Sequence, residues 1–202
     1  MAGIGLRKPF YAIYNYDETA GSVAYSAGGL LAKAVEFSAS IESAEANNLY
    51  ADDGIAETDR SFGGGTISVT TDDLLPAPSA AILGITPKEI KIGSETATVQ
   101  ELVYDENMVA PYLGFGIIIP KVKNGVASFR AVVFPKIMFN VPADAATTQG
   151  ESIEWQTPVI EGTILRSDAD GHPWKREVTV ADEEKAIAYI KQCLNISDAP
   201  SE

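Results

Sequence analysis

The sequence predicts a mainly β fold with flanking helices, an α+β protein built from two antiparallel sheets in a sandwich or barrel, with a long hairpin and a C-terminal helix. Three observations carry this expectation. Short runs alternate between apolar and polar residues with the period of two that a half-buried strand needs. An Asn-Gly pair joins two strongly apolar runs, and the last apolar segment has helical spacing instead.

Taken in order, "PFYAIYNY" and "GSVAYS" read as a first hairpin with "DETAG" as its turn. In "KAVEFSASIES", Val35, Phe37, Ala39 and Ile41 alternate with Glu36, Ser38, Ser40 and Glu42, a half-buried strand with one apolar and one acidic face. After Gly63, Gly64 and Gly65, which permit a bulge or the close approach of another chain, "GGTISVTTD" sets Ile67 and Val69 against Thr66, Ser68 and Thr70. "APSAAILG" reads as a short helix, with Pro78 near its start and Gly84 at its end, Pro76 and Pro78 limiting its length. "KEIKI" and a looser acidic stretch precede the main hairpin: "GFGIIIPKVK", Asn124-Gly125, "VASFRAVVFPKIMF". Asn-Gly supplies the two positive φ angles of a type I′ turn, and Pro120 and Pro135, lacking an N–H, mark edge-like or bulged positions. Residues 140–150 form a small-residue loop. "SIEWQTPVIEGTIL" is the next strand, and "RSDADGHPW" turns into a last strand, "KREVTV". Residues 182–194 have helical spacing, with Ala186, Ile187, Ile190, Cys193 and Leu194 on one side. Asp182 is placed to cap this helix, Glu183 and Glu184 suit its positive end and Lys191 its negative one. A flexible tail, 195–202, completes a single domain over 1–202.

Charge and composition narrow the function. The 28 acidic and 15 basic residues leave a formal charge of −13, which opposes DNA, RNA or anionic-lipid binding driven by Lys and Arg. Cys193 is the one cysteine, so neither an internal disulfide nor a Cys-based zinc site is expected. No signal peptide is read at the N-terminus, and "GFGIIIP" and "AVVFPKIMF" are too short to span a bilayer, so a soluble protein of cytosolic origin is expected.

Catalytic chemistry finds little support. His172, in "DGHPW", is the one histidine, it sits beside a proline at a turn, and no G-x-S-x-G elbow occurs. The glycines at 63–65 lead into a strand without a following Gly-Lys-Ser/Thr, so no phosphate cradle is expected. Asp52, Asp53, Glu57 and Asp59 offer oxygens for calcium, and Asp168, Asp170 and Gly171 resemble the start of a calcium loop, but no closing glutamate follows. Trp155 and Trp174 fall on predicted strands and would otherwise suit a sugar platform. No catalytic, metal-ligating or cofactor-binding residue is assigned and no cofactor is expected. The alternative function is a calcium-assisted carbohydrate-binding β-sandwich module. A hydrolase working through His172 is a third.

The runs "GLRKPFYAIY", "LAKAVEFSASIESAEANNLYADDGIAETDRSFGGGTISVTTDDL", "PYLGFGIIIPKVKNGVASFRAVVFPKIMF" and "ESIEWQTPVIEGTI" together resemble the major tail proteins, or tail tube proteins, of long-tailed phages and prophages of Gram-positive bacteria. "NNLYADDGIAETDRSF" is the most specific part, and Pro76 with Pro78 is a departure where a more regular helix is expected. The resemblance implies a non-enzymatic virion protein, assembled in the bacterial host cytoplasm. Its copies would form homohexameric rings that stack into a hollow tube around a tape-measure protein, bounded by tail-end proteins. DNA would pass through the lumen without specific binding, and no membrane is involved. On that reading Glu36, Ser38, Ser40 and Glu42 face the lumen, where negative charge repels phosphates. The alternative is an ordinary solvated outer face. Asn47 to Phe62 becomes an assembly loop, with Asp52, Asp53, Glu57, Asp59 and Arg60 as intersubunit contacts, an ion pair within the subunit being the alternative for Arg60. Asn124 and Gly125 form a second contact.

Overall fold

The computed structural model describes residues 2–43, 47–51, 54–59, 61–93, 98–144, 148 and 155–197. In chain order the elements are β1 (Ala2–Gly3), β2 (Arg7–Asp17), β3 (Ser22–Leu30), β4 (Ala34–Ser43), β5 (Asn47–Ala51), β6 (Gly54–Asp59) and β7 (Phe62–Thr71). There follow α1 (Pro76–Leu83), β8 (Lys88–Lys91), β9 (Thr98–Glu101), β10 (Leu113–Lys123), β11 (Val126–Phe139), β12 (Val159–Ile164), β13 (Arg176–Val180) and α2 (Glu183–Cys193). A large sheet runs β3-β2-β10-β11-β12-β7-β4, with β1 added to β10 and β13 to β11, while β5-β6 and β8-β9 form two small sheets. Every pairing is antiparallel. Among the described residues the fold is thus mainly β with two helices, as the alternation predicts, and the first hairpin and the Asn124-Gly125 hairpin form where expected.

The large sheet is not closed into a barrel, since β3 and β4 are its unjoined ends. It curls instead. Phe37 on β4 lies four strands from Phe115 on β10 in the path, which at about 4.8 Å per strand is roughly 19 Å in a flat sheet. Their stacked rings have centroids 6.2 Å apart. One sheet therefore supplies both layers, β3-β2-β10 with the first half of β11 facing β12-β7-β4.

The corner is β11. Its residues Phe129–Val133 pair with β13 and Ile137–Phe139 with β12. Pro135 lies between them, where the register against β10 shifts between Leu113 and Phe115. A residue without an N–H costs least at such a break in the ladder. Pro120 follows the same logic. Pairing of β10 with β2 stops at Ile118 and with β1 starts at Lys121, and the Pro120 carbonyl accepts the Ile4 N–H at 2.9 Å in the seam. At the tip, Asn124 (φ 51°) and Gly125 (φ 77°) join Lys123 to its partner Val126.

Two cores lie on opposite faces of the same strands. Inside the curl, Leu113, Phe115 and Ile117 pack with Phe134, Phe139, Ile67 and Ile160, closed by Ile82 and Leu83 of α1. Pro76 and Pro78 fall in the first turn of α1, where the N–H groups have no intrahelical acceptor to lose, and Gly84 ends the helix in the left-handed region at φ 70°. On the outer side, Phe10, Ala12, Ile118, Ala131 and Val133 pack against Ala186, Ile190 and Leu194 of α2. Burial on both faces explains why β10 and β11 read as almost continuous apolar runs. The helix seats on a glycine strip: a Cβ at Gly116 would lie 2.5 Å from Ile190 Cγ2, and one at Gly114 2.4 Å from Leu194 Cδ2.

Several local expectations change. Asp182 occupies the N-cap position of α2, yet its carboxylate pairs with Lys185 at 2.9 Å and makes no side-chain cap bond. The tail expected from residue 195 begins as docked chain: the Asn195 amide donates to the Tyr25 carbonyl at 3.3 Å and Ile196 packs on the outer core. Residues 198–202 lie outside the described residues. The half-buried reading of β4 holds at Phe37 alone. Ala39 and Ile41 on the same face, and Val35 at a register shift, are exposed because β4 is an edge strand that outruns the layer it covers. "KEIKI" pairs with Thr98–Glu101 as a hairpin that the acidic connection concealed.

Strand β13 is joined to β11 by charge as well as by its ladder. Glu177 is bonded by Arg130 and by Lys175, the latter at 2.7 Å, and hydrogen bonds from these two cations hold its carboxyl at about 2, below its ordinary 4.5. A depressed acid stabilises the fold fully above its ordinary value, and the contribution is lost as pH falls through the folded one. The thermal midpoint of the wild type is therefore expected to exceed that of Glu177→Gln by a constant margin above about pH 5, and the margin to close towards about pH 2. A pH-independent margin in melts followed by circular dichroism would contradict this.

Candidate functional site

The outer face of β4, β7 and β12 is the most distinctive surface on the molecule. Alternation builds it. Ile67, Val69, Ile160 and Ile164 point into the core, which turns Thr66, Ser68, Thr70, Glu161 and Thr163 outward. From Glu36 to Glu42 the pairing of β4 with β7 is regular, so Glu36, Ser38, Ser40 and Glu42 share this face opposite Thr70, Ser68, Thr66 and Gly64. The next register step places Ser68 beside Glu161 and Thr66 beside Thr163, and the Asn140 N–H extends the first row by donating to the Glu161 carbonyl at 2.8 Å.

The result is a shallow groove of about 490 Å³ lined by Ser38, Ser40, Thr66, Ser68, Glu161 and Thr163. No Lys or Arg occurs on β4, β7 or β12. Hydroxyls spaced by strand pitch exchange hydrogen bonds with water, and Glu36, Glu42 and Glu161 add fixed negative charge. Such a face repels a polyphosphate and offers no counter-charge to hold it. Gly63, Gly64 and Gly65 permit the bulge at its end: Gly64 has φ 145°, and a Cβ at Gly65 would stand 2.7 Å from the Ser40 carbonyl oxygen. The close approach there is that of β4 of the same chain.

The expected assembly loop is a hairpin over its described residues. β5 and β6 pair Asn47 with Asp59 and Leu49 with Glu57. Asp52, Asp53 and Arg60 lie outside the described residues. The hairpin lies in sequence between β4 and β7 and, among the described residues, pairs with no other strand. Asn124 and Gly125 sit at the exposed tip of β10-β11.

The other candidates resolve differently. Asp168 accepts a hydrogen bond from Lys136 at 2.6 Å and from the Tyr14 hydroxyl at 2.8 Å, and Lys136 above all holds its carboxyl below the usual range. Lys136 also lies 4.5 Å from the centre of the Tyr112 ring. Lys136 thus supplies the counter-charge of Asp168. Among the described residues no three His, Cys, Asp or Glu side chains converge on a metal position. His172 donates through Nδ1 to the Ser167 carbonyl at 3.0 Å and so meets the backbone of that serine, not its hydroxyl. Neither tryptophan is on a strand, contrary to expectation. Trp174 stacks on Phe62 at 4.8 Å in the bend before β13, and Trp155 is 85% exposed ahead of Pro158, where strand pairing has not begun.

No protein-family model matches the chain, and no curated protein matches its sequence. Among the described residues no helix is long and apolar enough to cross a membrane. Sequence reasoning missed Glu161 and Thr163 as members of the polar face. The alternation in "VIEGTI" carried that signal, but only the register of β12 against β7 shows that they join Ser68 and Thr66. It also missed the Lys136–Asp168–Tyr14 cluster, whose members are too far apart in sequence to leave a local pattern.

Proposed function

We propose that this chain is a tail tube subunit of a long-tailed phage or prophage, a structural protein whose copies form hexameric rings that stack into a hollow conduit for DNA. The observation that carries the reading is a cation-free face of hydroxyls and carboxylates that ends at the unpaired edge of β4. Placed towards the lumen, that face gives a hydrated negative wall along which a duplex slides. The β3 and β4 edges are what a neighbour would use to continue the sheet around a ring, which removes the hazard of an exposed edge. The resemblance of the quoted runs to tail tube proteins agrees with this. So does the engagement of His172 and Asp168 in local bonds, which leaves no assembled catalytic group among the described residues. The tape-measure protein and tail-end proteins are its expected partners, and the virion tail its expected place.

Trp155 favours a second reading, a carbohydrate-binding module, because an exposed indole offers a flat apolar face to a sugar ring. One experiment separates the two. Negative-stain electron microscopy across a protein concentration series, with and without EDTA, is expected to show rings or tubes whose yield rises with concentration and is indifferent to EDTA. A monomer at every concentration, stabilised by calcium and by glycan, would replace the tube with the binding module.

A further inference from the structure

Between Glu106 and Asp144 the sequence holds no acidic residue, although the whole chain has 28. That stretch is the β10-β11 hairpin, so its tip is locally cationic on an anionic protein. Lys121 and Lys123 lie on the β10 arm just before the turn, neither is ion-paired with a described carboxylate, and Val126 across from Lys123 is 69% exposed. The opposite end of β11 runs into a groove of about 480 Å³ whose charged members are Asp73 and Asp144, with Leu74, Leu102, Tyr104 and Pro142 as its apolar wall. Neither aspartate is ion-paired with a described cation, and Leu75 and Val141 nearby are 57% and 51% exposed.

Tip and groove are complementary in kind. One presents two ammonium groups around a small apolar knob, the other two carboxylates around an apolar hollow. The tip lies at one end of the paired β10-β11 ladder, beyond Lys123 and Val126, and the groove beyond the other end of the 14-residue β11, so the two are separate patches of one chain. A contact between different patches on identical subunits is directional, and where its rotation does not close a ring it repeats as an open stack.

We infer that copies of this chain dock head to tail, with the Lys121–Val126 tip of one seated in the Asp73/Asp144 groove of the next. Burial of Val126 against Tyr104 and Val141 supplies attraction, while the charges set the direction and speed of encounter. The inference rests on the tube reading for what is stacked, and it names the surfaces that stack.

The test is charge reversal followed by negative-stain microscopy and sedimentation. Lys121→Glu with Lys123→Glu, and separately Asp73→Lys with Asp144→Lys, each place like charges at the contact and are expected to raise the concentration needed for stacking by about tenfold or more, leaving unstacked rings. All four positions are exposed or partly so, and unchanged circular dichroism and melting show that the fold is retained. The fourfold variant restores opposite charge in the reverse sense and is expected to stack like the wild type. Stacking that survives both double reversals, or that the fourfold variant does not recover, overturns the docking and leaves the tube reading in place. Wild-type rings that never stack also overturn the docking alone. A wild type that stays monomeric overturns both.

Discussion

Phe115→Ala is expected to lower the free energy of unfolding by about 3–5 kcal/mol, the range for removing a large buried aromatic and leaving a cavity. The ring is fully buried at the point where the curl brings three elements together. It stacks with Phe37 of β4 at 6.2 Å and meets the edge of Phe139 of β11 at 5.9 Å. Loss of the ring removes one of the contacts that tie the β12-β7-β4 layer to β10, and neighbours fixed in paired strands refill the space poorly. Urea melts of the variant and wild type measure the difference. Phe37→Ala is the control: that ring is only half-buried, so its truncation is expected to cost less. A loss below about 1 kcal/mol for Phe115→Ala would mean that the layers are not held together there.

The polar face should have the larger effect on behaviour. Replacing Glu36, Glu42 and Glu161 with lysine changes its charge by six per chain while leaving the buried residues of β4, β7 and β12 untouched. Each phosphate that a lysine neutralises releases counterions, so binding gains a steep salt dependence, a slope of about −0.9 in log K against log salt for every contact. On the proposed tube reading, wild-type tubes are expected to retain no duplex at physiological salt. Tubes of the triple variant are expected to hold linear duplex firmly at low salt and to release it as salt rises. They should hold covalently closed circles far less, because a lumen admits DNA only by an end. Equal retention of circles and linear duplex would place this face on the outside of the assembly. Retention of neither would show that DNA does not meet it.

Much of the fold is legible in the sequence because alternation is a local property. Ile67 against Thr66, or Phe37 against Glu36, fixes which way each side chain points before any partner is known, and Asn124-Gly125 fixes one register outright. What could not be read is where the sheet bends. Pro135 signals a break in a ladder but not that the strand crosses from one layer to the other there, and that crossing brings Phe37 to Phe115. The candidate site shows the same split. The four residues on β4 follow from period two, whereas their neighbours Glu161 and Thr163 depend on pairings between strands about a hundred residues apart. Trp155 was misjudged because Pro158 delays the start of β12, and a run of strand-forming residues does not show where its partner begins.

The two cores share β10 and β11 as a common wall, one on each face. Undocking α2 strips the cover from Ile118, Ala131 and Val133, and any shift those residues make is felt at Ile117 and Val132 on the other side. Loss of either core therefore weakens the other, and the chain is expected to lose its structure in one cooperative step. On the tube reading, a subunit that folds in this way would present its β3 and β4 edges to other copies only on a finished scaffold.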